Sequence, residues 1–356
     1  MSITWRIEQA SALALPFDDG SVQCCVTSPP YWGLRDYGNG WQLGLEPTPE
    51  EYVARMVDVF REVRRVLRDD GVLWLNLGDS YAAGCMTGKQ GKNSTSGTNH
   101  GQGAGTALPP RKPPAGLKPK DLVGIPWRVA FALQADGWYL RSDCIWHKPN
   151  PMPESVTDRP TKAHEYLFLL TKSARYFYDA DAVRVAMKWG GSGGLYCAGS
   201  DYRAASQKGG AAAPSRRTAA SGRNKRTVWT IPTEPYKGAH FAVMPPAVVE
   251  PCIKAGTSER GCCAECGAPW VRKEGWAPPC SCNADTVPCA VLDPFNGSGT
   301  TGAVAVALGR SYLGTEINAD YIELAKVRIA KALADSGRAT VANVPDGALV
   351  QLGLFG

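Results

Sequence analysis

Near the C-terminus a strand, a glycine loop, a helix and a second strand ending in an acid follow one another, and this order restricts the fold more than any other stretch. Residues 290–295 read Ala-Val-Leu-Asp-Pro-Phe, a short buried strand. They run into Asn296-Gly297-Ser298-Gly299-Thr300-Thr301-Gly302, then an apolar helical run through Leu308, then a strand at 312–314 that leads to Glu316. The pattern is G-x-G-x-x-G between strand and helix, with an acid closing the next strand. The glycines let a ligand approach the backbone, and Glu316 can accept from both hydroxyls of a ribose. Alone, this would suggest a nicotinamide cofactor. Too little chain follows Glu316 to complete a dinucleotide fold, so the rest of the sheet is expected from the N-terminal part, in permuted order.

The N-terminal part holds a second constrained stretch, Cys24-Cys25-Val26-Thr27-Ser28-Pro29-Pro30-Tyr31-Trp32. Val22, Cys24 and Val26 suit a strand buried on both faces. Two prolines then fix φ and remove two backbone donors, and the residue before each proline is held extended. A hydroxyl, unpaired carbonyls and two aromatic rings converge at a strand end, which suits a planar amine. Its N–H groups can donate to Ser28 Oγ and the Pro29 carbonyl, while Tyr31 stacks on the ring. The plainer alternative is a proline-rich turn with no ligand. Cys24 and Cys25 read as strand residues, not as attacking thiols.

Between these stretches helix and strand alternate, the α/β signature. Residues 50–67 predict a helix with Tyr52, Val53, Met56, Val57, Phe60, Val63 and Leu67 on one face, ended by Asp69-Asp70-Gly71. Arg61, Arg64, Arg65 and Arg68 are read as its solvated side. Strands are expected at 72–77 and 138–146, a helix at 122–137, and a hairpin from 165–171 and 176–178. His164 is read as a structural hydrogen-bonding residue. The 82–121 and 189–228 segments are poor in apolar residues and hold clustered Lys and Arg, the latter interleaved with aromatic residues. Both suit nucleic-acid phosphates, and Lys148, Asn150, Arg223, Lys225 and Arg226 are the named DNA-contact candidates. The chain of 356 residues carries a net charge of +6, mild on average and consistent with such a partner.

Half of the 12 cysteines lie between Cys262 and Cys289. Clustering without a secretory leader argues for metal in a reducing cytoplasm rather than disulfides. Cys263 and Cys266 form C-x-x-C-G; Cys280 and Cys282 form a tighter C-x-C pair. Together they can place four thiolates around a structural zinc, with Cys262 and Cys289 as spare alternatives. Four thiolates leave no open position for catalysis. Metal-free surface cysteines are the alternative. No apolar run is long enough to span a membrane.

The pair T-S-P-P-Y early and D-P-F-N-G-S-G-T-T-G late resembles the S-adenosylmethionine-dependent DNA amino-methyltransferases, and the order of the motifs resembles their beta group. The resemblance includes Ile145-Trp146-His147-Lys148-Pro149-Asn150-Pro151 and Lys237-Gly238-Ala239-His240-Phe241. It implies a permuted Rossmann-like α/β methyltransferase sheet with helices on both faces, basic loop insertions and a small Cys-rich zinc-knuckle insert. It implies Ser28, Pro29, Pro30 and Tyr31 at the target amine. It implies Asp293, Phe295, Gly297, Gly299, Thr300, Glu316, His240 and Phe241 at S-adenosylmethionine. Ser11 stands where many relatives carry Asp, a departure that bears on the adenine contacts. Ser28 is more typical of cytosine-N4 than of adenine-N6 enzymes, so N4 methylation of a flipped cytosine is expected, with adenine-N6 the alternative. An RNA or protein amine methyltransferase and a non-catalytic zinc DNA-binding protein are further alternatives.

The expected organisation is a target-amine half at 1–81, a basic loop at 82–121, continued catalytic domain at 122–188 and a recognition segment at 189–228. A cofactor-side helix region at 229–258, a knuckle at 259–289, a cofactor half at 290–335 and a tail at 336–356 complete it. In the tail, Gln351, Leu352, Leu354 and Phe355 resemble the short peptides that dock on the bacterial sliding clamp; packing back onto its own domain is the alternative. Double-stranded DNA, this clamp and a cognate restriction enzyme are the expected partners, in a bacterial or phage-infected cytoplasm.

Overall fold

The computed structural model describes residues 1–33, 42–82, 113, 116–186, 222–234, 243–273, 275–278 and 280–338. Its strands are β1 (Trp5–Gln9), β2 (Val22–Thr27), β3 (Leu67–Leu77), β4 (Tyr139–His147), β5 (His164–Thr171), β6 (Val228–Thr230), β7 (Cys262–Cys263), β8 (Val271–Arg272), β9 (Trp276–Ala277), β10 (Thr286–Val287), β11 (Ala290–Asp293) and β12 (Ser311–Glu316). Its helices are α1 (Pro49–Val66), α2 (Ile125–Ala135), α3 (Pro246–Gly256), α4 (Thr300–Ala307) and α5 (Ala319–Asp335).

Eight strands form the main sheet in the order β1-β12-β11-β2-β3-β5-β4-β6. The first five run parallel. β5 runs antiparallel to both β3 and β4, and β6 is parallel to β4. β11 and β2 are therefore neighbours, although their sequence positions are far apart, and the late motif and the early motif leave the sheet side by side. From β2 the chain crosses through α1 to β3; from β11 it crosses through α4 to β12, in the other direction. Right-handed crossovers in opposite directions put their helices on opposite faces. Accordingly, α1 and α2 bury Tyr52, Met56, Phe60, Val129 and Leu133 against one face with Leu73, Leu75 and Phe168. α3, α4 and α5 bury Val248, Ile253, Val304 and Ile329 against the other with Val26, Trp74 and Val291.

Local chemistry sets the element ends. α1 starts where Thr48 Oγ1 accepts from Glu51 N at 3.2 Å, with Pro49 in its first turn. It ends without a turn: Leu67 is already extended and opens β3. Asp69, Asp70 and Gly71, expected to end the helix, instead occupy an irregularity in which the β2 register passes from Val22↔Leu67 to Cys24↔Val72. The expected hairpin is also corrected. β5 pairs with β3 and β4, whereas Tyr176, Phe177 and Tyr178 form no strand, and Phe177 N donates to Asp70 O at 2.8 Å.

Of the arginines read as the solvated side of α1, Arg61 is exposed, whereas Arg65 and Arg68, the latter already in β3, are staples. Arg65 donates to the Leu15 and Phe17 carbonyls at 2.8 and 2.9 Å, and to Asp19 and Glu62. Arg61 forks onto Asp136 beyond α2, and Arg68 reaches the Cys266 carbonyl. Carbonyls left over in turns recruit these donors, which helical spacing alone does not show. Among the described residues no helix is long and apolar enough to cross a membrane.

Candidate active site

The site lies at the C-terminal edge of the parallel strands, where β2 and β11 part company. Open α/β sheets bind ligands at such a switch point. Thr27, the last residue of β2, donates from Oγ1 to Asp293 Oδ1 at 2.7 Å across this seam. The same oxygen accepts Phe295 N at 3.0 Å. Asp293 is 5% exposed. Burial pushes its carboxyl up to about 6, against the opposing pull of Thr27, Thr301 and Phe295 N–H. Asp293 thus ties the two motifs together.

The glycine loop follows. Gly297 has φ +49°, and a Cβ there would meet only the Phe295 carbonyl oxygen, at 3.9 Å, so a ligand can approach its backbone. Gly299 has φ +76°, and a Cβ there would lie 2.8 Å from Ala325 Cβ, so this glycine admits α5 rather than a ligand. Glu316 Oε2 accepts Gly297 N at 2.8 Å; Oε1 accepts Ile317 N and Asn318 N, both at 3.0 Å. Burial raises its pKa in spite of these bonds. Three of the roughly four acceptor sites of a carboxylate shape the loop, which leaves about one for a ribose hydroxyl rather than a free pair. Phe295 packs against the α1-side core. Thr300 is buried and accepts from Arg328 at 2.7 Å. His240 and Phe241 lie outside the described residues, as do most of the 82–121 loop, residues 189–221 and the Gln351 to Phe355 segment.

The S-P-P-Y turn stands beside the loop. Tyr52 Oη donates to the Pro30 carbonyl at 2.9 Å and so anchors the turn to α1. No hydrogen bond among the described residues reaches the Pro29 carbonyl. Tyr31 is half-buried and tied down at its hydroxyl. That hydroxyl donates to Glu165 Oε2 at 2.6 Å and lies 3.2 Å from Asn76 Oδ1. Ser28 Oγ donates to it at 3.3 Å. The ring lies against Gly78, where a Cβ would come within 2.5 Å of Tyr31 Cε2. Burial, reinforced by Glu165, pushes the Tyr31 hydroxyl well above the usual tyrosine range, so it stays protonated.

Glu165 and Asn76 are participants that sequence reasoning missed. Asn76 had a signal: a lone amide in the apolar run of β3, 1% exposed, its Nδ2 donating to Tyr166 O at 3.1 Å. Glu165 is held by Lys148, which also lies over the Trp146 ring at 4.5 Å. Lys148 therefore points into the site, onto a carboxylate. His164 meets the Tyr166 ring edge-on at 5.3 Å, and burial lowers its pKa. Asn150 exchanges two hydrogen bonds with Thr233, at 2.9 and 3.3 Å. Arg223 pairs with Val185 in an isolated bridge. Lys225 lies over Trp229 at 4.5 Å, and with Arg226, Arg141, Tyr176 and Tyr178 it lines a cavity of 190 Å³ on the α3 side.

The cysteines converge elsewhere. β7 pairs with β10 and β8 with β9 to make a small double hairpin. The sulfurs of Cys263, Cys266, Cys280 and Cys282 all lie within 4.8 Å of one another. Burial pushes the Cys263 thiol up, but the Cys266 and Glu265 backbone N–H groups, with the Cys280 and Cys266 side chains, outweigh it and bring it down to about 7. Four convergent sulfurs on short turns fit the tetrahedral donor set of zinc. Cys262 and Cys289 stand outside this cluster. Gln23 bridges the knuckle to the sheet: its Nε2 donates to Gly267 O at 3.1 Å and its Oε1 accepts Ala290 N at 2.6 Å. This docking lies at the start of β2 and β11, the edge opposite the S-P-P-Y turn.

The fold and site define an α/β enzyme with a glycine loop and a proline turn at one switch point. Residues 22–327 match the DNA methylase family, and the chain belongs to this family of N6/N4 amino-methyltransferases. It is 45% identical over 315 residues to the Type II methyltransferase M.SmaI of Serratia marcescens, covering 88% of this chain and 85% of that protein. It is 44% identical over 310 residues to the Type II methyltransferase M.Cfr9I of Citrobacter freundii, covering 87% and 82%. The fold is similar to that of the PvuII DNA methyltransferase (cytosine-N4-specific), with a TM-score of 0.55 at 16% identity over 99% of this chain and 92% of the other.

Proposed function

We propose that this protein transfers a methyl group from S-adenosylmethionine to N4 of a cytosine flipped out of double-stranded DNA, as the modifying member of a Type II restriction-modification pair. The observation that carries the reading is the shared seam: the S-P-P-Y turn and the glycine loop leave adjacent strands, tied by Thr27 and Asp293. The open backbone at Gly297, the Glu316 carboxylate beside it and the buried Asp293 fit the adenosyl and methionine parts of this cofactor, which when bound supplies an electrophilic methyl group. Glu316 and Gly297 hold its ribose side.

The chain's own residues do the rest. Flipping a base costs a few kcal/mol, and stacking on Tyr31 returns roughly 1–3 kcal/mol. Ser28 Oγ and the Pro29 carbonyl accept from the exocyclic amine and fix the direction of its lone pair. Alignment of this kind is worth many orders of magnitude in rate. Ser28 at the first motif position supports cytosine over adenine. We assign zinc to Cys263, Cys266, Cys280 and Cys282, where it holds the knuckle fold.

Purified protein should be incubated with a labelled methyl donor and, separately, duplex DNA, RNA and bulk protein. Label in the duplex alone is expected. Label in RNA or protein, with none in DNA, would overturn the reading.

A further inference from the structure

Two hydrogen bonds at the site run in series towards Glu165, and a third reaches Glu165 from the other side. Ser28 Oγ, assigned above to the target amine, donates to Tyr31 Oη at 3.3 Å. Tyr31 Oη donates to Glu165 Oε2 at 2.6 Å. The other Glu165 oxygen meets the Lys148 ammonium. The Glu165 and Lys148 side chains are 13% and 18% exposed, so this pair sits largely out of water, next to the reacting centre. A buried ion pair contributes little net stability, and Tyr31 could be anchored by Asn76 alone, 3.2 Å from its hydroxyl.

We propose that Glu165 is the final acceptor of the proton that the amine must lose, reached through Ser28 and Tyr31. The inference rests on the amine-methylation reading above. As the amine lone pair forms the N–CH3 bond, the S–CH3 bond of the sulfonium donor breaks and its electron pair stays on sulfur. The nitrogen then carries a positive charge and one proton too many. That proton passes to Ser28 Oγ, the Ser28 proton to Tyr31 Oη, and the Tyr31 proton to Glu165 Oε2. Both hydroxyls end neutral, the amine ends neutral, and Glu165 ends as the acid. A ring-conjugated amine that has just been alkylated is a strong acid, so its proton leaves readily for a carboxylate. Lys148 compensates the charge of Glu165 in the resting site. Glu165 does not touch the base; it is a positioning residue that acts through Tyr31.

Glu165→Gln keeps an acceptor for Tyr31 but removes the charge, and Tyr31→Phe keeps the stacking ring but breaks the chain. Each should slow single-turnover methyl transfer by about 100-fold or more, the scale of acid–base assistance. The double variant should be no slower than the worse single, because both cut one relay. DNA affinity and the fluorescence of 2-aminopurine at the target position, which reports flipping, should stay at the wild-type level in all three. Wild-type transfer rates in Glu165→Gln would overturn the proposal. So would loss of flipping together with transfer, which marks a purely structural role, or losses that multiply in the double variant. A wild-type enzyme that methylates no DNA would sink the underlying reading instead, and an active wild type with active variants would sink only the relay.

Discussion

At the scale of single residues, the site divides into groups that meet the base and groups that hold them. In the proposed reaction Ser28 and Tyr31 meet it. Changing Ser28→Ala or Tyr31→Ala should abolish methylation while binding of S-adenosylmethionine, measured by calorimetry, is retained; full activity in either variant would contradict their placement. Asp293 holds the seam, and its pKa of about 6 against the usual 3.8 has a definite sign. Below about pH 4 the folded and unfolded chains both carry the proton. Between about 4 and 6 only the folded chain keeps it, so stability falls as pH rises through this window and is level above it. Urea melts should show wild type losing up to about 3 kcal/mol relative to Asp293→Asn across that window, because Asn keeps the acceptor without the ionisation. The S-P-P-Y turn was legible in sequence because two prolines announce a rigid strand end. Glu165 was not, because it lies 134 residues from Tyr31 and only the antiparallel β5 brings it there.

At the scale of elements, the knuckle and the glycine loop differ in how much their spacing disclosed. C-x-x-C and C-x-C gave the four sulfurs that converge. They gave no sign of the anchor, which is Gln23 and Arg68 reaching the Gly267 and Cys266 carbonyls. The proposed zinc assignment predicts that elemental analysis of the purified protein finds one zinc per chain. Cys282→Ser or chelation should lower the melting temperature while leaving DNA affinity of the remaining folded protein unchanged, since the knuckle sits on the edge away from the turn. Absence of bound metal in protein purified without chelator would contradict the assignment. In the loop, Gly299→Ala forces a Cβ against Ala325 at a left-handed φ, which should cost roughly 1–3 kcal/mol in a urea melt. Arg65 of α1 shows what helical spacing hides: two of its partners are the Leu15 and Phe17 carbonyls, far back in the chain.

At the scale of the whole molecule, permutation was readable from one fact of order, a cofactor-type loop with little chain after it. The sheet confirms the consequence, with β11 and β12 completed by β1 on one side and β2 on the other. An antiparallel strand at 165–171 was expected, but its partners were not readable, because the apolar run of β5 fits β3 and β4 as well as the 176–178 segment. In the tail, deleting 351–356 should abolish binding to a bacterial sliding clamp without lowering methylation of a short duplex; equal clamp affinity after deletion would refute that docking. The central claim is that this seam methylates an exocyclic amine of cytosine in DNA, and mass spectrometry of nucleosides from duplex DNA treated with the purified protein tests it most directly. N4-methylcytosine is the predicted product. N6-methyladenine would contradict the choice of base, and methyl-free DNA would contradict the reading of the site itself.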